Sequence, residues 1–178
     1  MAVLKIHTFP DPLLTRTSKR VAEIDGRVAS YVADMVETMY AANGVGLAAP
    51  QVGLLERAIV VDTDSENRGL APLCLVNPEV VEAEGDITWE EGCLSVVDYT
   101  AEVQRSARVL VSGWNVDQEE VRIEATGLKA VCLQHEIDHL DGKLFLDHLS
   151  SLKRSLYRKR LKKIKRGGEL PDDGVPRI

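Results

Sequence analysis

The segment His135-Glu136-Ile137-Asp138-His139 restricts the fold more than any other part of the chain. On an α-helix, residues four positions apart are rotated by about 40° and lie about 6 Å apart along the axis. Two imidazoles in that arrangement can bind one metal ion, with the intervening Glu136 close to an open coordination position. The pattern predicts a helix over about 128–140 that carries two ligands of a catalytic metal site. The alternative is a surface helix with two unrelated histidines.

A catalytic site of this kind needs a third protein ligand and an open position for water. Cys132 lies about 10 Å along the helix from His139, too far for both to bind one ion through bonds of about 2 Å, so we interpret it as a packing thiol. Cys93 follows Gly92, which permits a close backbone approach, and is the better candidate. The remaining cysteine, Cys74, stands in an apolar run and is predicted to lie in the core.

An ion held by two imidazoles and a thiolate would activate water for attack on an amide or ester carbonyl, and Glu136 would accept the proton. The developing oxyanion needs an uncharged donor, which the amide of Gln51 can supply. Gln51 ends the segment 44–51, GVGLAAPQ, which also fits a structural turn after a helix. The spacing alone does not connect Gln51 with the metal. The segment lacks the GK[ST] signature of a phosphate-binding loop.

The rest of the sequence predicts a single α+β domain. Apolar residues spaced at helical intervals predict a helix that begins after Asp25 and stops at 43–44. Short β-type runs then follow one another without intervening helices, which argues against a doubly wound parallel sheet. These runs are 58–61, 73–76 (ended by Asn77-Pro78), 79–84, 109–114 and 121–125.

The net charge of −6 conceals an uneven distribution. The segment 153–166 has nine basic and no acidic residues, whereas the remainder, with 13 basic and 28 acidic residues, carries −15. We predict a helix over about 151–165 whose basic face is either simply solvated or contacts RNA phosphates. A narrow apolar stripe would pack this helix against the rest of the domain, and it would consist of Leu152, Leu156, Leu161 and Ile164.

The composition also bears on where the protein works. An odd number of cysteines does not fit a secreted disulfide framework. No apolar run approaches the length of about 18 residues that a membrane span needs, and the N-terminus lacks the apolar core of a signal peptide. We therefore expect a cytoplasmic protein without membrane contact, and a monomer.

Three segments resemble the motifs of peptide deformylases: 44–51 (GxGLAAPQ), 91–95 (EGCLS) and 134–140 (QHExDHL). The resemblance extends from near residue 1 to about residue 165. It implies the peptide-deformylase fold, with mostly antiparallel short sheets around a central metal-binding HExxH helix, an N-terminal helix and a C-terminal helix. One catalytic domain would span 1–166 and a flexible tail 167–178. The implied reaction removes the formyl group from the N-terminal formylmethionine of newly synthesised polypeptides and releases formate.

The resemblance also implies roles for individual residues. The ligands of one divalent ion would be Cys93, His135 and His139; Fe²⁺ is expected, and Zn²⁺ or Ni²⁺ can substitute. Glu136 would be the general acid and base, and the oxyanion would be bound by Gln51 and the backbone N–H of Leu94. Gly46 would offer backbone contacts to the substrate. The methionine pocket would be lined by Val45, Trp89, Leu128, Val131 and Cys132. The basic C-terminal helix would contact the ribosome near the peptide exit.

Two further expectations concern the surroundings of this site. Asp138 cannot bind the same ion as its neighbours, so we expect it to accept a charge-assisted hydrogen bond from Arg105. The sequence also departs from the family after Cys93, where Val97 and Thr100 occupy the positions of a frequent proline and arginine. The substrate contacts beyond methionine should therefore differ, and Asp98-Tyr99 is interpreted as a solvated turn.

Two other functions remain open at this point. A zinc metalloprotease using HExxH would cleave internal peptide bonds without needing a formyl group. The other is a non-catalytic RNA-binding module stabilised by a structural metal. Its metal would be bound by four protein ligands with no open position, and His7 and His148 are candidates for the fourth.

Overall fold

A computed structural model describes residues 2–164, and Ile164 by its backbone only. The N-terminal segment is a loop with one 3₁₀ turn, Pro12–Thr15, and leads into the helix α1, Gly26–Ala41. The predicted cap is confirmed, since the Val28 N–H donates to Asp25 Oδ1 at 3.1 Å.

Between residues 2 and 164, seven strands form two antiparallel sheets. The strands are β1 Gly46–Ala48, β2 Ala58–Val61, β3 Leu73–Glu84, β4 Ile87–Cys93, β5 Val96–Arg105, β6 Arg108–Trp114 and β7 Glu120–Thr126. The larger sheet has the order β1-β2-β3-β6-β7, and β4 pairs with β5 in a separate hairpin. The helix α2 spans Gly127–Leu140 and α3 spans Ser151–Ile164, with a 3₁₀ turn, Phe145–His148, between them. The α+β class is confirmed, as is the absence of a doubly wound parallel sheet within residues 2–164.

The predicted strand end at Asn77-Pro78 is wrong, because β3 continues through both residues. The chain accommodates them with a shift of the β3–β6 register between Val76 and Glu79. Asn77 takes a left-handed conformation (φ 53°), and its side chain bonds the N–H of Val21 at 2.8 Å and its carbonyl at 2.9 Å. The two predicted strands are therefore one bulged strand that also anchors the N-terminal loop.

The larger sheet is covered on both faces. Ala58 and Val60 of β2 pack with α1, whereas Ile59 and Val61 pack with α2. Since alternate side chains of a strand point to opposite faces, this arrangement explains why the whole run 58–61 is apolar and buried. Cys74 is half-buried against the α1 side, at the margin of the predicted core.

The docking stripe predicted for α3 is right at Leu161 and wrong at Leu152 and Leu156. Leu152 and Leu156 are exposed, at 68% and 55%, whereas Tyr157 and Leu161 are buried. Tyr157 packs against Tyr99 with ring centroids 4.7 Å apart, and its hydroxyl donates to the Val97 carbonyl at 3.3 Å. The buried aromatic ring thus decides which face of α3 is turned inward, and Leu152 and Leu156 are left on the outer face.

Some predicted features lie outside the described residues: the Ile164 side chain, Lys165, Arg166 and the tail 167–178. No helix in the described part of the chain combines the length and apolar character that a membrane crossing requires.

Gly142, directly after α2, gives a test of this fold. It has φ +71°, and a Cβ there would lie 2.6 Å from the Thr15 carbonyl oxygen. We expect Gly142→Ala to lower the free energy of unfolding by about 3 kcal/mol, since backbone strain of roughly 1–2 kcal/mol adds to a clash with the fixed backbone. Gly127→Ala is the matched control, because Gly127 has φ +57° but nothing within 4 Å of such a Cβ. If urea unfolding gave the same loss of unfolding free energy for both variants, the contact with Thr15 would not contribute to the effect.

Candidate metal centre

The three predicted metal ligands meet in the interior although they come from two elements. Cys93 ends β4, and His135 and His139 lie one turn apart on α2. Their ligand atoms lie within 4.8 Å of one another, and Cys93 Sγ is 3.3 Å from His139 Nε2. All three side chains are buried. A thiolate and two imidazoles at this spacing are a donor set that suits a divalent transition metal.

The hydrogen bonds around the histidines fit such an ion. His135 Nδ1 bonds Glu91 Oε2 at 2.8 Å, which leaves Nε2 buried at the cluster, with no hydrogen-bond partner in the described part of the chain. A carboxylate on the far nitrogen is the usual way in which a histidine ligand is oriented. Burial and the charge of Glu136 raise the pKa of the Cys93 thiol, while burial and the charge of His135 lower the pKa of His139. A cation among these donors would oppose the effect of burial on the thiol, because a coordinating thiol is deprotonated.

Glu91 belongs to a chain of charged groups that continues away from the metal ligands. Arg105 donates to both carboxylate oxygens of Glu91, at 2.7 and 3.0 Å, and from Nη1 to Asp138 Oδ2 at 2.6 Å. The hydrogen bond expected between Arg105 and Asp138 is therefore present. His148 Nε2 lies 2.7 Å from the same Asp138 oxygen. Burial raises the pKa of Asp138, but the contacts with His148 and Arg105 outweigh it and bring the value to about 2.

Glu136 faces the cluster, and no group of residues 2–164 forms a hydrogen bond with either of its carboxylate oxygens. Burial and the charge of Glu91 raise its pKa well above the usual range. The glycine of β1 makes room for it, since a Cβ on Gly46 would lie 2.4 Å from Glu136 Oε1 and 2.8 Å from Cys132 Sγ. A carboxyl group that is buried and has no partner among the described side chains is suited to exchange protons with a bound reactant.

Gln51 reaches the same cluster from the 3₁₀ turn Ala49–Val52. Its Oε1 accepts from the Ala48 N–H at 2.7 Å, so its Nε2 points inward, 3.6 Å from Cys93 Sγ and 3.1 Å from Ser95 Oγ. The sequence left open whether Gln51 approaches Cys93, and the structure answers that it does. Leu94 lies in the turn directly after Cys93, at the junction of β4 and β5.

Four of the five predicted pocket residues lie together. Val131 and Cys132 are buried in the cluster between α2 and the larger sheet, and Val45 and Trp89 pack against it. Leu128 is half-buried in the first turn of α2 and does not belong to that cluster. The Cys132 thiol lies 3.6 Å from the Val45 carbonyl, as a packing residue beside the metal ligands would.

The interpretation of Asp98-Tyr99 as a solvated turn is wrong. Both residues lie within β5, and Tyr99 stacks on Phe145 at 6.2 Å as well as on Tyr157. Thr100 donates from its hydroxyl to Glu90 Oε1 across the β4–β5 hairpin at 3.1 Å.

Glu91 and Ser95 had no predicted role, although both stand inside the segment 91–95 that resembles a family motif. The signal for Glu91 was the need of a buried histidine ligand for an acceptor on its far nitrogen. Within residues 2–164, neither candidate fourth ligand belongs to the group around Cys93, since His7 bonds Asp11 and His148 bonds Asp138.

The comparisons with known proteins agree with this geometry. The model of the polypeptide deformylase family matches residues 3–155. A peptide deformylase of Thermodesulfovibrio yellowstonii is 49% identical over 162 residues, which is 91% of this chain and 98% of that protein. The chain belongs to the polypeptide deformylase family. A crystal structure of the Legionella pneumophila deformylase has a TM-score of 0.87 at 43% identity. The match covers 93% of this chain and 96% of the Legionella chain. A crystal structure of the Ehrlichia chaffeensis deformylase in complex with actinonin has a TM-score of 0.88 at 40% identity. The match covers 93% of this chain and 99% of that chain.

Membership of the deformylase family establishes the reaction class and the fold. The protein is a metal-dependent hydrolase of protein biosynthesis that removes the N-formyl group from nascent polypeptides. The HExxH metalloprotease and the non-catalytic RNA-binding module are thereby set aside. The family uses a divalent metal, and the group of Cys93, His135 and His139 can hold one.

Proposed function

We propose that Cys93, His135 and His139 hold the divalent ion of this deformylase and that Glu136 is its general acid and base. The observation that carries the proposal is the convergence of three buried ligand atoms within 4.8 Å beside an unpartnered carboxyl group. A divalent ion there supplies Lewis acidity, which activates water and polarises the formyl carbonyl. We infer Fe²⁺ as the resident ion from the family resemblance, with Zn²⁺ or Ni²⁺ able to substitute.

The protein groups then divide the chemistry among themselves. Glu136 takes the proton of the attacking water and returns it to the leaving amine of methionine, a proton cycle that a raised pKa favours. The Gln51 amide and the backbone N–H of Leu94 donate to the oxyanion that develops on the formyl oxygen. Gln51 is held for this task, because its own oxygen is already bonded to Ala48.

The first residue of the peptide would lie between β1 and α2. Gly46 offers its backbone to the peptide, and the apolar side chains beside it would hold the methionine side chain. These side chains are Val45, Trp89, Leu128, Val131 and Cys132. Since Cys132 and Val131 are fully buried, they would form the floor of this pocket and the half-buried residues its walls.

The direct test measures formate release from formyl-Met-Ala-Ser by protein purified anaerobically and loaded with iron. We expect release that stops when a chelator removes the metal and resumes when Fe²⁺ is returned. The matched substrate acetyl-Met-Ala-Ser should give no acetate at a comparable rate. Iron-loaded protein that leaves the formyl peptide intact would overturn the proposed activity.

The outer face of α3 supports a second element of the proposal, contact with the ribosome. Several basic side chains of α3 are exposed: Lys153, Arg158, Lys159, Lys162 and Lys163. We propose that this face binds ribosomal RNA phosphates, which would place a cytoplasmic, monomeric enzyme where formylated chains emerge. The exposed Leu152 and Leu156 would add apolar contact area to the same surface.

Ribosome binding should weaken steeply with salt and depend on these charges. Replacing Lys153, Lys159 and Lys163 together by glutamine should reduce the ribosome affinity by about tenfold or more at low salt and flatten the salt dependence. Cosedimentation with ribosomes over a range of salt concentrations measures both. Arg122→Gln, an exposed arginine on β7, is the control. Unchanged binding of the triple variant would remove α3 from the contact.

A further inference from the structure

The N-terminal loop is hydrogen-bonded to two residues of the candidate site through its backbone. The His7 N–H donates to the Gln51 carbonyl oxygen at 2.7 Å. Two residues later, the Phe9 N–H donates to the Ser95 carbonyl oxygen at 2.8 Å. Gln51 and Ser95 are in turn joined by their side chains, since Gln51 Nε2 donates to Ser95 Oγ at 3.1 Å. Residues 7–9 therefore connect the 3₁₀ turn that carries Gln51 with the turn between β4 and β5.

This connection bears on the direction of the Gln51 amide. An amide NH₂ group has two N–H donors. One of them is engaged by Ser95 Oγ, and the other faces Cys93 Sγ, which lies 3.6 Å from Nε2. The second N–H is the one that the proposed function assigns to the oxyanion, and its direction depends on the separation between Gln51 and Ser95. A reacting group that is misplaced by about 1 Å can cost a factor of about 10² in rate.

The ring of Phe9 anchors the loop. Residues 2–11 belong to no helix or strand, so side-chain contacts decide where their backbone lies. The half-buried Phe9 ring packs against the core cluster that contains Cys93, and its centroid lies 5.9 Å from that of Tyr157. The guanidinium carbon of Arg158 lies 6.0 Å from the centroid of the Phe9 ring. Loss of this ring would release the loop at the residue that bonds Ser95.

We propose that Phe9 is a positioning residue for the oxyanion donor, because its ring fixes the loop whose backbone holds Gln51 and Ser95 at their present separation. The inference rests on the proposed function, in which the Gln51 amide donates to the oxyanion, and deepens it by naming what holds that amide in place. Phe9 acts through Gln51, whose bond to the oxyanion exists only as the reaction proceeds. Loss of the ring therefore lowers kcat and leaves KM nearly unchanged.

A double-mutant cycle tests whether Phe9 acts through Gln51. With iron-loaded enzyme, formyl-Met-Ala-Ser and rates per bound metal, we expect Phe9→Ala to lower kcat about tenfold and to change KM by less than about twofold. Phe9→Leu, which keeps a large apolar side chain, should recover most of the rate. In a Gln51→Ala background, Phe9→Ala should have almost no further effect, since the donor that it positions is already absent. The control is Ile24→Ala, in the same N-terminal segment but packed against the α1 side, which should keep the wild-type kcat.

Amide hydrogen exchange gives a second readout that needs no turnover. Zinc-loaded protein is suitable for NMR because Zn²⁺ is diamagnetic. The N–H groups of His7 and Phe9 should be protected in the wild type and should exchange at least about tenfold faster in Phe9→Ala. The N–H groups of Val32 and Met35 inside α1 serve as the internal control. Rapid exchange of both loop amides in the wild type would contradict the hydrogen bonds on which the proposal depends.

The possible outcomes of the cycle separate this role from the proposed function. Wild-type kcat in Phe9→Ala overturns the positioning role. A tenfold loss that persists in the Gln51→Ala background also overturns it, because Phe9 would then act on another group. If Phe9→Ala does not fold, Phe9→Val enters the same cycle with an expected loss of about threefold, and an additive loss has the same meaning. The wild-type rate in Gln51→Ala would instead overturn the donor role of Gln51, and the role of Phe9 with it.

Discussion

Glu136→Gln is expected to lower kcat for formate release by about 10³-fold while the metal content per chain stays unchanged. A positioned general acid or base contributes roughly 10²–10⁴ to a rate, and Gln cannot carry the proton. The substitution removes no metal ligand and keeps the volume of the side chain. Within residues 2–164 no protein group bonds either carboxylate oxygen of Glu136, so the substitution breaks no hydrogen bond inside this part of the chain. The variant should therefore unfold at the wild-type temperature or higher.

The measurement pairs formate release with metal analysis and thermal unfolding of the same samples. Glu90→Gln is the matched control, because Glu90 is an exposed carboxylate on β4, three residues before Cys93. It should keep nearly the full rate. If Glu136→Gln released formate as fast as Glu90→Gln at equal metal content, another group would have to be the base.

The predictions that succeeded from sequence rest on local patterns. The α1 cap at Asp25 and the run 58–61 follow from the side-chain chemistry of a few neighbouring residues, and the structure has both. The spacing of His135 and His139 fixed their shared face of α2 in the same way. The metal-ligand roles themselves remain a prediction, supported by the convergence of the ligand atoms.

The predictions that failed depend on contacts between distant segments. The strand β3 can pass through Asn77-Pro78 only because the Asn77 side chain forms hydrogen bonds with Val21, 56 residues away, and because the pairing with β6 shifts its register there. The inward face of α3 was predicted only at Leu161, because Leu152 and Leu156 match the helical period as well as Tyr157 does. The choice between them depends on Tyr99, which no local pattern connects to α3.

Glu91 illustrates the same limit inside the site. The sequence marks it as part of a motif, but its function as the partner of both His135 and Arg105 depends on the packing of the β4–β5 hairpin against α2. Burial raises the pKa of Glu91, yet the bonds from His135 and Arg105 outweigh burial and hold it below the usual value. A charged carboxylate persists in the interior because both partners are present.

Arg105→Met should consequently be among the most destabilising substitutions in the protein. It would leave two carboxylates, Glu91 (fully buried) and Asp138, without the guanidinium that lies between them. Removing one partner of a buried ion pair typically costs about 3–5 kcal/mol. For a chain of this size, that loss corresponds to a fall in Tm of roughly 10 °C. The metal should also dissociate faster into a chelator, because Glu91 orients His135.

Arg108→Met provides the decisive comparison for that substitution, since Arg108 makes more ion pairs than Arg105 but makes them at the surface. Its partners are Glu82, Glu84 and Glu124, each more than half exposed. Water screens these pairs and solvates the carboxylates that remain, so the loss should stay under about 1 kcal/mol. Thermal unfolding of both variants, with and without metal, separates the two cases. Equal Tm losses would mean that burial does not control the strength of these ion pairs, and the role given to Arg105 would then be wrong.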